Sequence, residues 1–130
     1  MEHALAAGWP TLKMAPGFLA PGVNGEGKVD MFSASGADHW YTMSHHRARA
    51  VNNKVAQDTF TPGWLRSVGQ GWIVWGLESF IDEVAVKANK DPVDFRLAML
   101  DGKGKQGGKA PESVGGATRL ANTLEILKKK

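Results

Sequence analysis

Residues 71–100 read GWIVWGLESFIDEVAVKANKDPVDFRLAML, and this stretch decides the fold because its apolar side chains repeat at helical spacing. The spacing predicts a helix over residues 71–89, with charged side chains between the apolar ones. Phe80 is expected on the buried side of this helix. The helix is expected to end at Asn89 and Lys90. The apolar positions are Ile73, Leu77, Phe80, Ile81, Val84 and Ala88.

A second helix is predicted over residues 91–100, because Asp91-Pro92 is a typical helix start. The aspartate side chain can accept hydrogen bonds from the free N–H groups of the first turn. Proline at the first helical position loses no hydrogen bond that the helix needs. Asp94 adds a negative charge where the helix dipole favours one. These local signals define the start of the helix.

A third helix is predicted over residues 118–129, after the glycine- and lysine-rich loop DGKGKQGGKAPESVGG at residues 101–116. Its apolar side chains again recur at helical spacing. The pattern runs to Lys130 without a glycine cap, so we expect an internal piece of a longer chain. The apolar positions are Ala117, Leu120, Ala121, Leu124 and Leu127.

The first sixty residues are rich in glycine, proline and small polar residues and show little periodicity. Short strands are predicted at residues 29–32 and, from the alternation in RARAV, at residues 47–51. We therefore predict an α+β fold in which residues 1–60 form an irregular, weakly stranded segment. Residues 61–130 supply a turn and three helices, and the two segments together make one partial domain.

The composition excludes several classes of protein. The 130 residues are 42% hydrophobic and 22% charged, which is typical of a globular chain. No apolar run approaches the roughly 20 residues that cross a bilayer, and the N-terminal MEHALAAGWP does not resemble a signal peptide. The absence of cysteine excludes disulfides and thiolate-bound metals or iron–sulfur clusters in this chain. A net charge of +3 without a basic stripe argues against nucleic-acid binding.

Two weak motifs are better explained as ordinary structure. GVNGEGK at residues 22–28 fits most of a phosphate-binding loop, but Val29 stands where Ser or Thr should reach the magnesium ion. A surface turn is the better interpretation. His39, His45 and His46 lack the spacing and the acidic partner of a metal site, so no metal ligand is predicted. No arrangement typical of a catalytic triad or paired carboxylates stands out either.

The turn before the long helix, TPGWLRSVGQGW at residues 61–72, holds one arginine between two tryptophans and several glycines. A Pro-Gly pair bends the chain, while Gly69 and Gly71 allow close approach of the backbone to another group. Two interpretations are open. Arg66 caps a carbonyl in a packed loop, or it faces a bound group.

Residues 62–100 resemble a segment of the large, molybdenum-binding subunit of the xanthine dehydrogenase/aldehyde oxidase family. The similarity is to the bacterial branch that includes isoquinoline 1-oxidoreductase and membrane-associated aldehyde dehydrogenases. It rests on an aromatic–x–Arg–small–x–Gly turn, on ESFIDE within a helix and on DPxxFR opening the next helix. GADHWYTM upstream and APESVGGATRLANTLE downstream extend the resemblance over most of residues 36–127.

The resemblance implies a function for the turn. Arg66, Ser67 and Gly69 would bind molybdopterin, as the cytosine dinucleotide with molybdenum, in a larger α/β molybdopterin-binding domain. Arginine suits that negatively charged group because it is always charged and offers fixed donors. Trp72 stands where many relatives carry Gln or His, so a cofactor contact from that position is in doubt.

The resemblance also implies what kind of longer protein this chain would belong to. This would be a molybdenum hydroxylase that oxidises aldehydes or N-heterocycles with water as oxygen source, in the bacterial cytoplasm or periplasm. The partners would be the remainder of the large subunit and an iron–sulfur small subunit. No catalytic residue matches, so the isolated chain is expected to hold no cofactor and to be inactive. The alternative is a small non-catalytic scaffold or interaction domain.

Overall fold

The structure is a computed structural model that describes residues 2–5, 13–22, 28–51, 53–59, 66–100 and 115–130. Within these ranges the chain combines short strands with helices, which confirms the predicted α+β class. The strands are β1 (Glu2–Leu5), β2 (Leu19–Pro21), β3 (Lys28–Asp30) and β4 (Arg47–Ala50). The α-helices are α1 (Lys54–Thr59), α2 (Gly69–Lys87), α3 (Pro92–Ala98) and α4 (Ala117–Lys128), with 3-10 helices at Pro16–Phe18 and Met31–Ala34.

The strands form two separate pairs. β1 and β4 are parallel, with Glu2 opposite Arg47, so the predicted strand near residue 47 is confirmed. β2 and β3 are antiparallel, with Leu19 opposite Asp30. β2 was not predicted, and it ends at Pro21. Proline is compatible with the end of an edge strand, where no ladder hydrogen bond from its nitrogen is needed.

The predicted strand at residues 29–32 is only partly correct, because the chain turns into a 3-10 helix at Met31. The Asp30 side chain accepts a hydrogen bond from the Phe32 N–H at 2.9 Å and so caps that turn. Aspartate competes for nearby backbone donors, which ends the extended conformation. Most of the segment at residues 22–28 lies outside the described residues, so the surface turn expected there stays a prediction.

The chain divides into two compact units. The first comprises Met1–Asp38 and His46–Trp75, and the second comprises His39–His45 and Gly76–Lys130. Helix α2 begins in the first unit and ends in the second. The prediction of one partial domain formed by residues 1–60 and 61–130 stays a prediction.

The buried stripe of α2 differs from the expected one. Phe80 is 48% exposed, so its expected position on the buried side is wrong. Buried residues instead follow each other at intervals of four, and each such step advances only about 40° around the helix axis. Phe80 lies about 100° away from the next member of that row. The buried residues are Ile73, Leu77, Ile81 and Ala85.

The junction between α2 and α3 follows the sequence signals closely. Asn89 adopts a left-handed φ of 52°, and the Lys90 N–H donates to the Ala85 carbonyl at 2.9 Å. This is a Schellman motif with asparagine in the usual glycine position. The Asp91 side chain then accepts from the N–H groups of the first turn of α3, as predicted. These hydrogen bonds therefore fix the residue at which α2 ends and the residue at which α3 begins.

Two helices differ from the prediction. Residues 54–59 form α1, although irregular chain was expected there, because KVAQDT is too short to show an apolar period. In α4, Ala117 and Leu124 are buried as expected, whereas Leu127 is 58% exposed. The Lys128 ammonium pairs with the Asp94 carboxylate and joins the end of α4 to α3.

Candidate functional site

The turn that leads into α2 has a strained backbone. Ser67 has a φ of 78° and Val68 a φ of 46°, so two successive non-glycine residues adopt the left-handed region. A β-branched residue is rarely found there, and each such residue costs about 1–3 kcal/mol. The Gln70 N–H donates to the Ser67 carbonyl at 2.9 Å and holds the turn. Strain of this kind is typical of functional sites, although it identifies no ligand.

Gly69 anchors the turn by packing against the chain itself. A Cβ added at Gly69 would lie 2.9 Å from the Phe32 carbonyl oxygen and 3.1 Å from that of Ser35. No other residue fits without moving the backbone of the 3-10 helix. Gly36, at a φ of 98°, approaches Gln70 in the same way. The structure thus gives Gly69 a packing function, and its expected approach to a cofactor stays a prediction.

Arg66 and Ser67 are exposed at this turn. In the described part of the chain, Arg66 pairs with no carboxylate and caps no carbonyl. The two side chains precede a helix of 19 residues, whose N-terminal end carries partial positive charge. A guanidinium that has no partner among the described residues, a hydroxyl and a helix N-terminus together suit an anionic group.

A second polar cluster lies in the other compact unit and was missed from the sequence. The Arg96 guanidinium donates from Nε to Glu78 Oε2 at 2.8 Å and from Nη1 to Asp82 Oδ1 at 2.6 Å. It also donates to the backbone carbonyls of Glu78 and Pro92. The Tyr41 hydroxyl donates to the Glu78 carboxylate at 3.0 Å. The signal was present in two acids four residues apart, which share one helix face.

The electrostatics of this cluster favour a structural clamp over proton transfer. Burial, followed by the charge of Glu78, raises the pKa of Tyr41 well above its usual value. Burial lowers the pKa of Arg96, but the hydrogen bonds that it donates to Asp82 and Glu78 outweigh this effect, so the net shift is upward. Both groups therefore keep their protons at neutral pH. The cluster fixes the 39–45 segment to α2 and α3 and leaves no free base.

The histidines of the described residues lie in ordinary structural surroundings. His39 is buried beside the Tyr41 ring, at 5.9 Å between ring centroids, and His45 lies next to the Ser44 hydroxyl. Across the described ranges, no three His, Asp or Glu side chains are grouped so that they could hold a metal ion. Nor does any helix in those ranges have the length and apolar character needed to span a bilayer.

Comparison with known proteins corrects the expected function and cofactor. The chain is 50% identical over all 130 residues to the membrane-bound aldehyde dehydrogenase (pyrroloquinoline-quinone) of Gluconacetobacter polyoxogenes. The resemblance to bacterial membrane-associated aldehyde dehydrogenases is therefore confirmed. The expected molybdenum hydroxylase fragment and its molybdopterin are wrong, because this relative is named for pyrroloquinoline quinone. The turn at residues 66–68, called here the Arg66 turn, suits any anion. Its residues therefore could not show which of the two cofactors is bound.

The similarity concerns only a part of that relative. No protein-family profile matches the chain. The chain spans 17% of the relative's length, so the relative is about six times as long. Along its entire length, this chain is thus similar to one segment of an aldehyde dehydrogenase.

Proposed function

We propose that this chain is one segment of a larger, membrane-associated aldehyde dehydrogenase and that the Arg66 turn contributes to its cofactor site. The observation that carries the proposal is the 50% identity over all 130 residues to the Gluconacetobacter polyoxogenes protein.

The exposure of strand β4 supports a segment of a larger fold. Parallel sheets are normally covered on both faces, and two strands alone are marginally stable in water. Arg47, Ala48 and Arg49 follow one another along β4, so they point to alternate faces, and all three are exposed. Glu2 pairs with Arg49 at 3.1 Å across the strands, and both side chains are about half-exposed. Additional chain in the parent would cover these side chains.

The chemistry of the turn defines what this segment would do. Oxidation of an aldehyde to an acid takes one oxygen from water and releases two electrons and two protons. Bound pyrroloquinoline quinone, a planar tricarboxylate, supplies the acceptor for those electrons. Arg66 would bind one of its carboxylates through two parallel N–H donors, and the Ser67 hydroxyl could add a third donor. The other carboxylates would need residues outside this turn, so the segment forms one wall of the site.

An exchange experiment tests the proposed function. The chimera is the Gluconacetobacter polyoxogenes enzyme in which this chain replaces the matching 130 residues. Membranes that contain the chimera are assayed for dye reduction with an aldehyde, with the corresponding primary alcohol as the substrate control. A second control enzyme lacks the segment.

We expect the chimera to oxidise the aldehyde after addition of pyrroloquinoline quinone, and the deletion control to be inactive. A chimera that is produced and folded but does not oxidise aldehydes would favour the non-catalytic scaffold and contradict the proposal.

A further inference from the structure

Helix α2 exposes two tryptophans close to its start. Trp72 is 49% exposed and Trp75 is 74% exposed. Residues three apart are neighbours on a helix surface, so the two indole rings belong to one patch. Ile73, in the same turn, is buried and marks the opposite, inward side. Single exposed apolar residues are common, but an exposed tryptophan pair on a rigid helix is typical of interaction surfaces.

We propose that the Trp72–Trp75 patch is a docking surface for the remainder of the parent polypeptide. The proposal rests on the proposed function only in treating the chain as a segment of a longer protein. Because the chain matches 17% of its relative, about five-sixths of such a parent is absent from this structure. Trp is enriched at the centres of interfaces, where it contributes a large share of the binding energy.

The area of the patch argues against a second copy of this chain as the occupant. Each tryptophan buries about 150–250 Å², so the pair covers at most about 500 Å². A stable interface between separate proteins needs about 800 Å² on each partner. Within one polypeptide a smaller contact is sufficient, because linkage makes the association intramolecular. The docking partner should present apolar side chains and an acceptor for the indole N–H, since a buried tryptophan usually needs one.

Oxidative footprinting of tryptophan tests the proposal. The isolated 130-residue chain and the chimera described above are exposed to hydroxyl radicals, and each tryptophan is quantified by mass spectrometry. Trp40 is the internal control, because its ring packs against Gly115, at 3.1 Å from the Cβ position of that glycine. We expect Trp72 and Trp75 to react fast in the isolated chain and to fall to the level of Trp40 in the chimera.

The other outcomes overturn the proposal. If Trp72 and Trp75 react equally fast in both proteins, the patch is not covered by the parent. If they become protected in the isolated chain as its concentration rises, the occupant is a second copy.

A double variant, Trp72→Gln with Trp75→Gln, tests docking by a second measurement, limited proteolysis. It should leave the proteolysis of the isolated chain unchanged but make the segment cleavable in the chimera, and no change in the chimera would contradict docking. Aldehyde oxidation is measured on the same samples. Activity without protection overturns only the docking surface, and protection without activity overturns only the proposed function.

Discussion

Arg96 Nη1 donates to Asp82 Oδ1 at 2.6 Å, which ties α3 to α2 within one compact unit. The Arg96 side chain is only 10% exposed, so loss of its charge would leave the Glu78 carboxylate without its main cation. We expect Arg96→Met to lower the free energy of unfolding by about 2–4 kcal/mol, because removing the buried partner of a partly buried ion pair is destabilising. Urea melts measure this loss.

The matched control is Lys128→Met, which breaks the half-exposed pair with Asp94. Exposed ion pairs contribute little because water and salt screen them. The control should leave the midpoint of the urea melt unchanged. Equal effects of the two variants would contradict the assignment of Arg96 as the clamp.

The stability of the chain should depend on Tyr41 at alkaline pH. The folded pKa of Tyr41 lies above its unfolded value of about 10, because burial and Glu78 disfavour the phenolate. The stabilisation is therefore fully present below pH 10 and is lost as the pH rises further. The slope should approach about 1.4 kcal/mol per pH unit. Urea melts between pH 8 and 11 measure it as the difference from Tyr41→Phe.

The phenylalanine variant provides the reference because it cannot ionise. At neutral pH it should be less stable by about 1 kcal/mol, the usual net contribution of one hydrogen bond. Above pH 10 the difference in the free energy of unfolding between the two proteins should disappear. Stability curves that run parallel up to pH 11 would show that Tyr41 is accessible to solvent and does not depend on Glu78.

Gly69 should tolerate no side chain. Gly69→Ala places a Cβ 2.9 Å from the Phe32 carbonyl oxygen, so the backbone of one of the two elements has to move. We expect a loss of about 1–3 kcal/mol, as for overpacked sites. The control is Gly76→Ala on the same helix, where an added Cβ meets nothing within 4 Å. That variant should gain about 0.5–1 kcal/mol from helix propensity. Thermal melts of both variants measure these changes in stability. A Gly69→Ala protein as stable as the original would refute the close packing.

Leu77→Ala should cost more stability than Phe80→Ala, although phenylalanine is the larger side chain. Leu77 is 2% exposed, so Leu77→Ala should cost about 2–5 kcal/mol in urea melts. Phe80 is 48% exposed, and its replacement by alanine should cost about 1 kcal/mol in the isolated chain. A larger loss for Phe80→Ala would mean that the stripe expected from the sequence was correct after all.

Helices α2 and α3 could be predicted because their signals are local. Asp91 and Asn89 act on backbone groups within a few residues, and the structure shows both caps as the sequence suggests. The β1–β4 pair could not be predicted, because it joins residues 45 positions apart, such as Glu2 and Arg47. A short segment carries no information about a distant partner of that kind.

The turn was only partly predictable. Its glycines and its single arginine marked an unusual structure, but the β-branched Val68 gave no reason to expect a positive φ. The packing of Gly69 against the Phe32 carbonyl was not predicted, because that carbonyl is more than thirty residues away in the sequence. The wrong cofactor has a similar cause, since Arg66 would suit a pterin or a carboxylated quinone equally well.

The most direct test of the central claim is Arg66→Lys in the chimera, with Arg47→Lys as the control arginine on the exposed strand β4. Lysine keeps the charge but cannot present the planar pair of donors that binds a carboxylate. Steady-state aldehyde oxidation, the content of bound quinone and the melting temperature are measured for both variants. We predict that Arg66→Lys loses about 10²–10³-fold in kcat/KM, as for one lost donor at a charged centre. Its retention of quinone should fall as well, at an unchanged melting temperature. Unchanged turnover and quinone content, with a lowered melting temperature, would contradict the claim and make Arg66 a structural residue of the turn.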